Sequence, residues 1–435
     1  MKNNYIGDIK HKNILFLQGP MGSFFKRLDA LFRDKGAKTY KIGFNAGDCL
    51  FSHRDNYIPY RGKREAWYDF VKRFLREQWI DQIYLFGDCR FYQRIAIKAA
   101  SELGIEVFVF EEGYARPDYI TMEKYGVNDF SRISRSRAFY DTLDLKTLPE
   151  PSPEPAGFSQ LRMVVSAVVY YGVSNLLFFM YPHYRHHRDF SAIKEAFFGA
   201  RSLLRKWYYR WNERGYLERI KGTCSGRYFF VPLQTHNDFQ ILEHSGYGSI
   251  EKFIFEVLES FACHAPQECW LVFKHHPVDR GRKEYSTFIT DQARQLGIAE
   301  RICVMHDVHL PTCLKHAIGT VTINSTVGLS SLYHRTPTIT LGNAIYDIEG
   351  LTCKGMAMDD FWCGQRAPDA QLLEKYRRYL IFTTQLNGSF YGRMPDFDHC
   401  LAVENASADV KSGQVEVCSN TPLPCASVLP TCVQA

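Results

Sequence analysis

The sequence predicts an α/β protein of two Rossmann-like halves facing a cleft, with a helical segment inserted between them. Three observations carry that prediction. Short apolar, β-branched runs alternate with helix-length amphipathic segments in the first 150 residues and again after residue 222, the pattern of βαβ units. A proline-rich run at 148–155, LPEPSPEP, separates the two. Between them lies a stretch of aromatic, aliphatic and basic residues that follows neither pattern. The expected divisions are 1–150, an N-terminal Rossmann-like half; 151–222, linker and insertion; 223–390, a C-terminal Rossmann-like half; and 391–435, a tail expected to be disordered.

The first half opens with a strand over 13–18, NILFLQ, then a glycine-bearing turn and a helix over 24–35. The turn lacks the full G-x-G-x-x-G dinucleotide fingerprint. A strand over 39–44 runs into Asn45-Ala46-Gly47-Asp48, so Asp48 is expected in a strand-end loop, where functional groups gather. A helix over 64–77 and a strand over 82–86 lead to Gly87-Asp88-Cys89-Arg90, and a helix over 92–103 follows. The next strand, 105–110, ends in Glu111-Glu112-Gly113-Tyr114-Ala115-Arg116-Pro117. Asp88, Glu111 and Glu112 would thus emerge from neighbouring strand ends beside arginines, an acid/base constellation. The plain alternative is a solvated loop with a surface ion pair.

The segment 163–181, MVVSAVVYYGVSNLLFFMY, carries no charge. Its length suits a membrane span, but Ser166, Gly172, Ser174 and Asn175 dilute it, which favours a buried or interfacial helix. The run 205–211, RKWYYRW, suits contact with anionic headgroups.

The second half begins with a strand over 227–233 and a strand-end loop, 234–238, that starts at Gln234. After a helix over 249–261, WLVFKHHP reads as a strand that puts Lys274 and His276 at its carboxyl end, where open α/β sheets bind ligands. A helix over 284–296 and a strand over 302–305 precede VTINSTVGLSSLYHRTPTITL, read as strand 321–323, capping residues Asn324, Ser325 and Thr326, helix 329–333 and strand 338–341. A hydroxyl-rich helix N-terminus is an anion site; the plain alternative is an ordinary capped helix. A terminal helix is expected over 371–386. Asp396-Phe397-Asp398 is the only D-x-D, past the last expected strand, and reads as a chance match to a metal-bridging pair.

Composition agrees with a folded enzyme-sized chain of 435 residues, 46% hydrophobic and 15% aromatic. A net charge of +6 fits anionic substrates or an anionic membrane surface and is too weak to argue for nucleic acid. Thirteen cysteines without a C-x-x-C pair read as reduced thiols of a cytosolic protein. No apolar stretch at the N-terminus reads as a signal peptide. Two such halves around a cleft describe the GT-B glycosyltransferase plan, in which a helix N-terminus and side chains, usually without metal, stabilise the departing phosphate. Neither metal nor cofactor is expected.

One set of motifs is more specific. It comprises Gln18-Gly19-Pro20-x-Gly22-x-Phe24-Phe25, Asn45-x-Gly47-Asp48, Tyr60-Arg61-Gly62, Phe86-Gly87-Asp88-x-Arg90 and Glu111-Glu112-Gly113-Tyr114-x-Arg116-Pro117 with Thr121, Glu123 and Gly126-Val127-Asn128. It continues with Pro232-Leu233-Gln234 and Asp238, Lys274-x-His276-Pro277 and Asn324-Ser325-Thr326-x-Gly328. In this order the chain resembles the capsular polysaccharide biosynthesis/export proteins of the KpsS/LipB type.

The resemblance implies retaining β-Kdo transfer from CMP-Kdo to phosphatidylglycerol, at the cytoplasmic face of the inner membrane, within a capsule biosynthesis and export complex. On that reading His276 meets the CMP phosphate beside Asn324, Ser325 and Thr326, Lys274 adds charge, Gln234 meets the nucleotide, and Asp48 belongs to the substrate site. Arg90 and Arg116 would pair with the Kdo carboxylate. Asp88 is the first candidate nucleophile, with Glu111 or Glu112 open as nucleophile or base. The alternatives are a transferase that extends the Kdo linker or uses another CMP-ulosonic acid, and a non-enzymatic export scaffold.

Overall fold

A computed structural model of the chain describes residues 3–185, 192–235 and 247–401. Among the described residues the halves are two separate twisted sheets. In the first, β1 (Asn13–Phe16), β2 (Lys38–Gly43), β3 (Tyr57–Pro59), β4 (Gln82–Phe86) and β5 (Glu106–Glu112) are parallel, and β6 (Tyr119–Lys124) adds antiparallel to β5. Helices α1 (Phe24–Asp34), α2 (Ala46–Leu50), α3 (Trp67–Glu77) and α4 (Phe91–Glu102) connect them, and α5 (Arg137–Asp141) follows. In the second, β7 (Tyr228–Pro232), β8 (Trp270–Lys274), β9 (Ile302–Met305), β10 (Gly319–Thr322) and β11 (Thr338–Thr340) are all parallel. Counted within each half, both sheets run 3-2-1-4-5, so each has a switch point, between β1 and β4 and between β7 and β10. Open sheets bind ligands outside the strand carboxyl ends at such points.

Alternation along the buried strands fills both faces of each sheet. Val107 and Val109 face the cluster of Trp67, Val71 and Ala96, while Phe108 and Phe110 face Phe24, Phe25 and Phe32. In the second sheet α9 (Ile250–His264), α10 (Ser286–Gln295) and α13 (Met358–Gly364) cover one face; α8 (Tyr216–Lys221) and α11 (Leu310–His316) cover the other. A further core joins the halves: Tyr114, Ile133 and Tyr140 pack with Leu329 and Leu332 of α12 (Thr326–Tyr333), with Tyr346, and with Tyr376 and Leu380 of α14 (Ala370–Thr384).

Several elements differ from expectation. Glu111 and Glu112 lie within β5 rather than in the loop after it, because pairing with β6 carries the ladder to Glu112–Ile120. The helix over 371–386 ends at Thr384, and β12 (Gln385–Asn387) returns to the first sheet as an antiparallel partner of β6. Residues 391–401, expected in the tail, are packed: Phe397 and Cys400 are buried against the first sheet, and α15 (Asp398–Leu401) closes the described chain. The expectations for 402–435 and for the loop residues His236, Asn237 and Asp238 lie outside the described residues.

The insertion is helical, α6 (Gln160–Leu176) and α7 (Ala192–Asn212), and its amphipathicity is inverted. On α6 the polar stripe faces the protein. The Tyr170 hydroxyl donates to Asp48 Oδ1 at 2.9 Å, and Ser174 Oγ accepts the Gly47 N–H at 3.1 Å. Leu161, Val164, Val165, Val168 and Leu176 are exposed. On α7, Arg205 donates to the Arg280 carbonyl at 2.9 Å and Tyr209 stacks on His306, while Leu203, Leu204, Trp207, Tyr208 and Trp211 face outward. Among the described residues no helix is long and apolar enough to cross a membrane.

Candidate functional site

The first switch point is built by a glycine. Gly87 takes φ +70°, in the left-handed region that favours glycine, and turns the chain from β4 into Asp88. Asp88 is buried; its Oδ2 accepts the Val127 N–H at 2.9 Å. Glu111 is half-buried beside it, and burial pushes its carboxyl up to about 7. The Glu112 N–H and the Arg90 charge oppose that shift, while Glu112 and Asp88 reinforce it. Arg90 also lies over the Phe86 ring at 5.0 Å.

Successive strand residues point to opposite faces, so Glu111 and Glu112 do not act as one pair. Glu111 shares its face with Thr121 and lies beside Asp88; Glu112 is exposed at the end of the strand and lies near Arg116. The expected constellation is therefore divided, Asp88, Glu111 and Arg90 on one side and Glu112 and Arg116 on the other. Arg116 lines a cavity of about 560 Å³ with Pro151, Tyr333 and Arg377. Asp48 is buried and accepts from the Phe44 N–H at 2.9 Å, from Tyr170 and from Gln18, so its oxygens hold α6 rather than face open space.

At the second switch point Gln234, after β7, and Asn324, after β10, bond to each other. Ser325 caps α12, its Oγ accepting the Val327 N–H, and Thr326 is the first helical residue. Gly328 is required here: a Cβ would come within 2.1 Å of the Tyr346 hydroxyl, which donates to the Ser325 carbonyl. His276 caps the turn Pro277–Gly281; its Nδ1 accepts the Val278 N–H at 3.2 Å, which puts the proton of the neutral ring on Nε2. Lys274 does not join this group. It shares its strand face with Val272, and its buried Nζ donates to the His306 carbonyl at 3.3 Å; burial lowers its pKa.

The two halves also touch at a small pocket of about 20 Å³. Tyr114 and Asn128 from the first half line one pocket with Asn324, Thr326 and Tyr346 from the second. The Tyr114 hydroxyl accepts the Asn128 N–H at 2.6 Å and donates to Glu123 at 2.9 Å. Glu123 is fully buried, and burial, against hydrogen bonds from Ser131 and Tyr114, leaves its carboxyl at about 7. Tyr114 and Glu123 appear in the sequence motif but were not assigned to the site. Reading 119–124 as a strand would have found Glu123, since Val109 pairs with it on the face of Glu111.

His275, Glu284 and His306 bring three ligand-type atoms within 4.8 Å of one another. A metal is poorly served there. His275 Nε2 already accepts the Tyr285 N–H at 2.8 Å, and the two rings stack at 13°, so one ion cannot lie in both ring planes. His306 instead bridges Glu213 and Glu284; burial would lower its pKa, and those hydrogen bonds raise it.

The model for the family described as capsule polysaccharide biosynthesis protein matches residues 81–391. The chain belongs to that family. It is 38% identical over 380 residues to the capsule polysaccharide export protein KpsS of Escherichia coli, covering 87% of this chain and 97% of that protein. It is 36% identical over 405 residues to the capsule polysaccharide modification protein LipB of Neisseria meningitidis serogroup A, covering 91% and 95%. Among solved structures it is similar to Thermosulfurimonas dismutans KpsC, a β Kdo 2,7 transferase, with 14% identity, 89% and 97% coverage and a TM-score of 0.40. For a member of the capsule polysaccharide biosynthesis family, the match over 81–391 includes Asp88, Glu111, His276 and Asn324, and it ends just beyond β12.

Proposed function

We propose that this capsule biosynthesis protein is a retaining glycosyltransferase that moves β-Kdo from CMP-Kdo to phosphatidylglycerol, starting the linker of a capsular polysaccharide. The observation that carries the reading is the pair of switch points, with Asp88, Glu111 and Arg90 at the strand ends of one sheet and Gln234, Asn324, Ser325 and His276 at those of the other. The helix N-terminus at Thr326, its Ser325 cap and the Nε2–H of His276 suit the phosphate of a nucleotide sugar. Asp88 attacks the anomeric carbon and displaces CMP, a weakly basic leaving group that needs little protonation. The acceptor hydroxyl then displaces Asp88 while Glu111 takes its proton. Two inversions retain the configuration. Arg90 lies beside Glu111 and suits the sugar carboxylate.

The outward apolar faces of α6 and α7 support a lipid-side location. A helix that turns polar residues inward and Trp207 and Trp211 outward is arranged for an apolar medium, and Lys206 and Arg210 stand among them for anionic headgroups. We place the protein at the cytoplasmic surface of the inner membrane on this reading.

Incubation with CMP-Kdo and a fluorescent phosphatidylglycerol, followed by mass spectrometry of the lipid, tests the reaction. One added Kdo supports it. No addition despite CMP binding would favour linker extension or another CMP-ulosonic acid, and no CMP binding an export scaffold.

A further inference from the structure

Asp88 is held by a turn 39 residues further along the chain. Its Oδ2 accepts the Val127 N–H at 2.9 Å in a buried bond. The next N–H, that of Asn128, goes to a different partner, the Tyr114 hydroxyl, at 2.6 Å. Tyr114 in turn donates to Glu123 Oε1 at 2.9 Å. Ser131, on the far side of the turn, donates to the other oxygen, Oε2, so Glu123 is gripped from both ends of the segment it supports. Asp88 is 5% exposed, Tyr114 4% and Glu123 not at all. In such surroundings a lost hydrogen bond is not replaced by water.

The turn needs that support. Tyr125 sits at φ +71° and Asn128 at φ +55°, in the left-handed region that residues with a side chain seldom adopt. Such conformations persist only where the surroundings impose them, and they gather at functional sites. The Tyr125 N–H is fixed to the Val107 carbonyl at 2.8 Å, which ties the start of the turn to β5. The peptide joining Val127 to Asn128 is fixed at both of its polar groups: its N–H by Tyr114, and its carbonyl by the Phe130 N–H at 3.1 Å. That peptide adjoins the one whose N–H meets Asp88. Removing the Tyr114 hydroxyl therefore loosens the direct neighbour of the Asp88 bond.

We propose that Tyr114 and Glu123 are positioning residues for Asp88: they fix the Val127–Asn128 turn, and the turn aims the Asp88 carboxylate at the anomeric carbon. Neither needs to touch the substrate in this role. The catalytic consequence rests on the transfer reaction proposed above, in which Asp88 is the nucleophile; the mechanical link from Tyr114 through the turn to Asp88 does not. A reacting group misplaced by about 1 Å costs about 100-fold in rate. A loosened turn would thus show in kcat before it shows in affinity for the donor.

The test uses the full chain with CMP-Kdo and soluble dihexanoylphosphatidylglycerol. Tyr114→Phe keeps the ring and removes the hydroxyl; kcat is expected to fall about tenfold or more while KM for CMP-Kdo stays within about twofold. Glu123→Gln keeps an oxygen for Tyr114 to donate to and is expected to stay within about threefold of the parent. Parental kcat in Tyr114→Phe overturns the proposal, as does a Glu123→Gln enzyme as slow as Tyr114→Phe. Should Tyr114→Phe fold badly, Ser131→Ala loosens Glu123 instead: a fall in kcat at constant KM is expected, and parental kcat overturns the proposal. Asp88→Ala separates this inference from the reaction beneath it. If that variant transfers Kdo at the parental rate, Asp88 is not the nucleophile and the positioning role falls with it. If it is inactive while Tyr114→Phe is fully active, the positioning role falls alone. Chemical unfolding of Tyr114→Phe, Asp88→Ala and the double variant tests the link without turnover. The shifts are expected to be non-additive, since both changes act on one turn; additive shifts overturn the link. Non-additive shifts in a chain that transfers no Kdo would keep the link and remove the reaction.

Discussion

Gln234 and Asn324 bond to each other in both directions across the β7–β10 switch point: Gln234 Nε2 donates to Asn324 Oδ1 at 3.0 Å, and the Asn324 N–H donates to Gln234 Oε1 at 3.4 Å. The pair fixes the start of the turn into α12, so a nucleotide phosphate would meet a helix end whose geometry is already set. Gln234→Ala strips both bonds, a cost of about 0.5–1.5 kcal/mol for each. CMP affinity is expected to fall about tenfold with little change in the cores. Calorimetric titration of CMP checks this, and unchanged affinity would remove Gln234 from the donor site.

Glu111 gives the protein a pH dependence of definite sign. Its native carboxyl, at about 7, lies above the ordinary value near 4.5 because burial penalises the charge. The native state therefore holds the proton more tightly, and stability declines as pH rises through that window. Glu111→Gln is expected to unfold at a higher temperature than the parent at pH 8 and at the same temperature below pH 4. If the ionised form is the base, kcat/KM rises through about 7, and the variant loses both that limb and about 100-fold or more of the rate. A retained limb would give the role to another group. Glu123, also near 7, adds to the stability trend, so Glu123→Gln is the control.

Gly328→Ala tests the anchoring of α12. The new methyl would lie within 2.1 Å of the Tyr346 hydroxyl and displace it from the Ser325 carbonyl. Overpacking of this kind costs about 1–3 kcal/mol. A drop of several degrees in unfolding temperature, together with weaker CMP binding, is the expected result; an unchanged protein would mean that Tyr346 moves aside freely.

The α7 face can be tested apart from stability. Trp207 is 79% exposed and Trp211 67%, so replacing both by serine removes little native packing and changes stability by about 0.5 kcal/mol or less. Co-sedimentation with phosphatidylglycerol vesicles is expected to fall several-fold. Undiminished binding would assign membrane contact elsewhere.

Tyr114→Phe probes the network beneath the cleft. It withdraws the buried Glu123 hydrogen bond and the acceptor for the part-buried Asn128 N–H. Chemical denaturation is expected to register a loss of about 1–3 kcal/mol.

Much of this protein was legible in its sequence because the information is local. Alternating strands, amphipathic helices, the Ser325 cap and the glycine turn at Gly87 depend on neighbours within a few residues, and they placed Asp88, Gln234, His276 and Asn324 at strand ends. Tertiary structure decided the rest, because it depends on which distant segments pair. The antiparallel β6 extends β5 and sends Glu111 and Glu112 to opposite faces. The short β12 brings the chain back to the first sheet after the second is complete. Asp48 is drawn to Tyr170, 122 residues away, and so holds a helix instead of facing the cleft. Lys274 turns beneath its sheet because its strand neighbour Val272 marks that face. The polarity of α6 and α7 is visible in the sequence, but which stripe faces the protein is not: the inward choice follows from buried partners for Tyr170, Tyr209 and Glu213, each supplied by a distant part of the chain.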